Sequence, residues 1–131
     1  MKQNRWILCD GAILGFSGVL AGALLDHAAA RFVVQQHAAD TALHYHQLHA
    51  LVVTALGLVL AFVPLDPRDH NRLQLSARLI FIGTIIFCGS LYTLGFTGAA
   101  VAGYGAPLGG LTMMAGWLAI IWTVLRHRPA N

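Results

Sequence analysis

GAILGFSGVLAG, residues 11–22, decides the fold. Glycine stands at Gly11, Gly15, Gly18 and Gly22, with offsets of four, three and four. That spacing returns each time to one face of an α-helix. In water each glycine costs a helix about 0.8–1 kcal/mol relative to alanine, so a soluble helix gains nothing from four. In lipid the balance changes. Helices there have little hydrophobic drive to associate and depend on close van der Waals contact and interhelical hydrogen bonds. A column of bare glycines lets a neighbouring helix approach. The stripe predicts a membrane span at the centre of a bundle, or alternatively a face for self-association.

Composition agrees. Of 131 residues, 57% are hydrophobic and 10% charged, whereas a soluble domain carries about 25% charged residues to face water. One integral membrane domain, residues 1–131, is expected. The net charge of +3 sets eight cations against five acidic residues, and the cations are scattered over short polar islands, which argues against nucleic acid as a partner and for membrane topology signals. Two cysteines, Cys9 and Cys88, fall at different bilayer depths, roughly 10 Å apart by the helical rise, so free thiols are expected.

Four apolar runs are long enough to cross a ~30 Å hydrocarbon core: about 6–25, 42–62, 79–96 and 107–125. Asp40-Thr41 reads as a cap for the second, and Pro107 as a first-turn residue of the fourth. The connector 26–41 is long and mixed. The connector LDPRDHNRLQLSAR, residues 65–78, is polar, and 97–106 is rich in glycine and alanine. Four crossings put both ends on the side of the middle connector. That side holds Lys2, Arg5, Arg68, Arg72, Arg78, Arg126 and Arg128, against Arg31 alone on the other. The bias predicts cytoplasmic termini in a bacterial-type inner membrane. Lys2 and Arg5 before an apolar run also fit a signal peptide, but this run exceeds the usual ~7–15-residue core.

The fold class is therefore an all-α bundle of four transmembrane helices. A short interfacial helix is expected in the first outer connector, with Phe32, Val33 and Val34 toward lipid and Gln35 and Gln36 toward water. Further close contacts are expected at Gly83, Gly89, Gly109, Gly110 and Gly116.

LAGALLDH (20–27), TALHYHQLHAL (41–51), FCGSLYTL (87–94), APLGGL (106–111) and AGW (115–117) carry a resemblance. In order and spacing they are similar to the motifs of the domain-of-unknown-function 423 family, small four-helix membrane proteins that include the animal transmembrane protein 256. Gly22, Ala23, His27, Tyr45, His49, Gly89, Ser90, Tyr92, Pro107, Gly109, Gly110 and Trp117 match the pattern. Leu25, Asp26, His46, Cys88 and Ala106 depart from it. The resemblance implies the architecture and brings no biochemical activity with it.

Chain direction gathers the polar positions at the outer end: His27, Tyr45, His49, Ser90 and Tyr92. Two readings follow. His27, His46 and His49 are candidate ligands for a metal or haem, since imidazole suits Zn, Cu, Ni and haem iron, and a quinone site is of the same kind. Alternatively the imidazoles are interhelical hydrogen-bond partners that fix register. Asp10, near the inner interface, is expected to pair with Arg5, Arg78 or Arg126. His37 and His44 read as solvated, and Trp6, Tyr104 and Trp122 as headgroup-level anchors.

No catalytic assembly emerges, and no resident cofactor is expected beyond that histidine alternative. The expected function is that of an accessory or assembly subunit packing through glycine faces against the lipid bilayer and a larger membrane complex, or self-associating. A minimal channel or transporter ranks third, because the inner half offers little beyond Asp10, Thr54 and Thr84 to line a polar path.

Overall fold

A computed structural model describes residues 5–28 and 30–127; Lys2 and Arg128 of the charge bias lie outside them. Four long helices account for most of the described chain: α1 Arg5–Ala23, α2 Gln36–Phe62, α3 Pro67–Thr97 and α4 Gly105–Arg126. Each is long and apolar enough to cross a membrane. The end where α1 begins and α4 stops is called basal here, and the opposite end apical.

Local chemistry sets the helix limits, and two helix starts differ from expectation. The second helix begins at Gln36, so Asp40 and Thr41 lie inside it: Asp40 accepts from Gln36 Nε2 at 2.7 Å and Thr41 donates to His37 O at 2.8 Å. The third helix begins twelve residues before the apolar run. Asp66 caps it by accepting from the Arg68 N–H at 2.8 Å, and Pro67 opens it with its φ already set. The polar connector 65–78 is thus mostly helix. At its far end Gly98 adopts φ 67°, and its N–H closes on Leu94 O at 2.8 Å. That left-handed stop costs a side-chain-bearing residue more than glycine.

Among its described residues, the first apical connector forms two short helical turns. α1 widens into a π-helical turn, Leu24–Ala28, followed by a 3-10 turn, Ala30–Phe32. The expected split between lipid-facing and water-facing residues does not form within one helix: Gln36 already belongs to α2. Instead the N–H groups of Val34 and Gln35 both donate to Gly95 O, at 2.8 and 2.9 Å. This ties the connector to the apical end of α3, whose last carbonyls lack helical donors.

Packing follows chain order: α1 on α2, α2 on α3, α3 on α4, with α1 only lightly against α3. The first helix is therefore at an edge and not at the centre, because its glycine stripe meets one partner, α2. A Cβ at Gly11 would stand 2.6 Å from Thr54 N, and one at Gly57 2.6 Å from Leu8 Cα, so the two helices cross at two bare backbones. The α3–α4 seam is closer still. Gly83 and Gly109 face each other, each leaving room for the other's carbonyl oxygen, and Gly116 leaves room for Ile80 and Ser76 O. Ile7, Leu14, Ala50, Val53, Leu60, Ala77 and Ile80 form the core where α1, α2 and α3 meet.

Candidate functional site

His46 and His49 are three residues apart on α2 and both are buried. Three residues turn a helix by about 300°, so neighbouring side chains at this spacing diverge by about 60°. Here that divergence sends them into two different clefts.

His46 enters the cleft between α1 and α3. Its Nε2 lies 3.1 Å from Ser17 Oγ and its Nδ1 3.2 Å from the Tyr92 hydroxyl. The Ser17 proton is already directed at Ile13 O (2.8 Å) and Leu14 O (3.1 Å). With that proton on a backbone carbonyl, the matching arrangement has the imidazole donating to Ser17 from Nε2 and accepting from Tyr92 at Nδ1. One side chain thus ties α1, α2 and α3 together. Cys88 adds a further link from α3 to α2, its thiol donating to Ala42 O at 3.3 Å.

His49 turns toward α4. Its Nδ1–H donates to Tyr45 O at 2.9 Å, so Nε2 accepts from Trp117 Nε1–H at 3.4 Å. The tautomer is opposite to that of His46. The Tyr45 ring stacks on the imidazole at 5.8 Å and 8°, and touches Phe87 at 4.9 Å. Trp117 meets the same imidazole edge-on at 6.4 Å.

Residues of each network line a cleft. The α1–α3 cleft, about 280 Å³, has walls of Ile13, Phe81 and Ile85, with Ser17, His46, Thr84, Cys88 and Tyr92 also lining it. Gly89 stands on its rim, where an added Cβ would meet nothing within 4 Å. The second cleft, about 340 Å³, lies among Tyr45, His49, Phe87, Met113 and Trp117.

The remaining expected positions divide. His27 is exposed on the widened turn after α1 and joins neither network. His27, His46 and His49 are not brought together, and among the described residues no three His, Cys, Asp or Glu side chains assemble as a metal-holding group. Ser90 sits against the bare Cα of Gly105. Of the expected packing glycines, Gly11, Gly109 and Gly116 lie under close backbone or side-chain contacts. Gly18, Gly22 and Gly110 make ordinary ones, and Gly15, like Gly89, opens on empty space. Asp10 makes no ion pair among the described residues. Arg78 is exposed, and Arg126 stacks over Trp122 at 4.4 Å. Cys9 and Cys88 are free thiols.

Sequence reasoning missed Ser17, Gly57, Gly95 and the basal pair Asp69–His127. Ser17 carried a signal: it is the one hydroxyl in the first span, whose residues beyond Asp10 are otherwise apolar. Asp69 is buried between the first turn of α3 and the end of α4, accepting from His127 Nδ1 at 2.8 Å and Arg72 Nη1 at 3.4 Å.

The relatives share this membrane character. The chain is 30% identical over 125 residues to the UPF0382 inner membrane protein YgdD of Escherichia coli K12, covering 94% of this chain and 92% of that protein. A UPF0382 membrane protein of Haemophilus influenzae is 30% identical over 85% of this chain and 86% of its own. YwdK of Bacillus subtilis, also a UPF0382 membrane protein, is 32% identical over 66% of this chain and 68% of its own. No solved structure matches the chain significantly. Residues 21–110 match the family described as Protein of unknown function (DUF423). With four helices of spanning length, two imidazole networks between them and relatives named as membrane proteins, the chain belongs to the DUF423 family of inner membrane proteins.

Proposed function

We propose that the protein is a non-catalytic accessory subunit that receives a transmembrane helix of a larger complex in the cleft between α1 and α3. The observation carrying this reading is the unfilled cleft with Gly89 on its rim. A small residue beside open space is what close helix approach in lipid requires. The histidines support it from the other side: both nitrogens of each ring are spent on hydrogen bonds that hold the bundle together. The orientation belongs to the same reading. Five described cations, Arg5, Arg68, Arg72, Arg78 and Arg126, lie at or toward the basal end, which supports cytoplasmic termini.

The test is gentle extraction from the native membrane followed by native electrophoresis. A stoichiometric partner is expected, and Gly89→Leu, whose Cβ would meet nothing within 4 Å, releases it while the melting temperature holds. A lone wild-type monomer, or a Gly89→Leu protein that keeps its partner, removes the reading. Complexes containing only this chain identify the occupant as a second copy instead.

One observation favours a second reading. Ser17, His46 and Tyr92 are among the residues lining an otherwise largely apolar cleft, which suits a lipid-soluble molecule such as a quinone. Solvent extraction and an absorption spectrum of the purified protein check it; an extract without chromophore discards the quinone.

A further inference from the structure

At the basal end a polar cavity of about 310 Å³ is lined by Asp66, Arg68, Asp69, Arg72 and Arg126. It opens between the first turns of α3 and the last turn of α4. The two carboxylates are already engaged. Asp66 caps α3 through the Arg68 N–H, and Asp69 accepts from Arg72 and His127. Three guanidiniums against two carboxylates leave one positive charge over, before any contribution from His127. Guanidinium groups match phosphate oxygens in geometry as well as charge.

The surroundings specify how such an anion would arrive. Arg126 is held over the Trp122 ring at 4.4 Å, and Trp at this level marks the membrane–water boundary. Below it Trp122, Leu118 and Leu125 are exposed on α4, an apolar track leading from the cavity into the hydrocarbon.

From this geometry we infer that the cavity holds the phosphate of an anionic phospholipid, with Arg68 and Arg126 as its principal donors and an acyl chain along α4. Arg72 keeps Asp69 neutralised and closes the cavity floor. The site is separate from the α1–α3 cleft, so a lipid bound here neither requires nor excludes a partner helix there.

The experiment uses the full chain, delipidated in mild detergent, with melting temperature and native mass spectra recorded as lipid is added. Palmitoyl-oleoyl phosphatidylglycerol is expected to bind and stabilise. Arg68→Gln and Arg126→Gln should each weaken retention about tenfold, the loss of one charge-assisted contact. Arg78→Gln, an exposed arginine on α3 outside the cavity lining, serves as the control and should change nothing. An equal loss with Arg78→Gln, or equal retention of phosphatidylcholine, overturns the site as a specific one. Matching protection by inorganic phosphate at the same concentration overturns the lipid as its source and leaves a soluble phosphate ligand. Native mass spectra keep the proposal testable should a variant lose stability, because lipid adducts are counted on the folded fraction.

Discussion

The α3–α4 seam and the α1–α3 cleft are built from similar residues and end differently. In the seam, Gly83, Gly109 and Gly116 are bare because another helix's backbone occupies the space a side chain would need. In the cleft, Gly89 is bare beside nothing. Both surfaces are apolar, so hydrophobicity does not distinguish them. The difference is in closure. Two helices joined by the short connector 98–104 pack extensively, whereas α1 touches α3 only lightly, both being held mainly by α2. A glycine on a membrane helix therefore has two meanings, an interface already made or one still open, and only the neighbouring helix tells which.

Several substitutions would break or sharpen that contrast. The largest effect is expected from Gly109→Leu, whose Cβ alone would collide with Phe87 backbone and with Gly83 O at 2.8 Å. Overpacking of this kind costs about 1–3 kcal/mol and often more. Loss of the monodisperse peak in detergent is expected; an unchanged melting temperature would mean the seam is looser than described. Next comes the polar tie beside the cleft. His46→Phe should destabilise by about 1–2 kcal/mol, and a double-mutant cycle with Tyr92→Phe should show a coupling near the ~0.6 kcal/mol typical of membrane hydrogen bonds. Strict additivity would show that the 3.2 Å contact contributes nothing.

Asp69→Asn should cost about 0.5–1 kcal/mol, in keeping with a partly exposed pair. Its clearer sign is faster amide exchange in the last turn of α4, where His127 loses its anchor. The smallest stability change is expected at Gly89→Leu, within about 0.5 kcal/mol as for other changes that touch no packed group. A large destabilisation there would close the cleft as a concept.

What was legible in the sequence follows from the same physics. The four crossings were readable because hydrocarbon thickness demands long apolar runs, and runs of that length cannot be hidden. The early start of α3 was written in Asp66-Pro67, a cap followed by a first-turn proline, but the polarity of residues 65–78 masked it. An apolar run marks where lipid lies, not where a helix begins. The separation of His46 from His49 was not readable. Their spacing allows a shared face, and which cleft each ring enters depends on α1 and α3 packing against α2 and on α4 packing against α3. Ser17 and Trp117 complete the two networks from 29 and 68 residues away in sequence, distances over which no local pattern carries information. The glycine stripe of α1 announced a close neighbour. It did not reveal that Gly15, one turn from Gly11, would have none.

The length of α3 has a consequence for how the protein sits. At 31 residues it extends about 46 Å by the helical rise, against a hydrocarbon layer of ~30 Å. Its polar opening turns and its apolar remainder form one rigid rod, anchored near the start by Asp69 and at the far end by Gly95. The rod works as a depth gauge: it sets the elevation of the protein against the headgroups. A thinner membrane would be met by leaning the whole molecule, because neither end of this helix can unwind without releasing a neighbour.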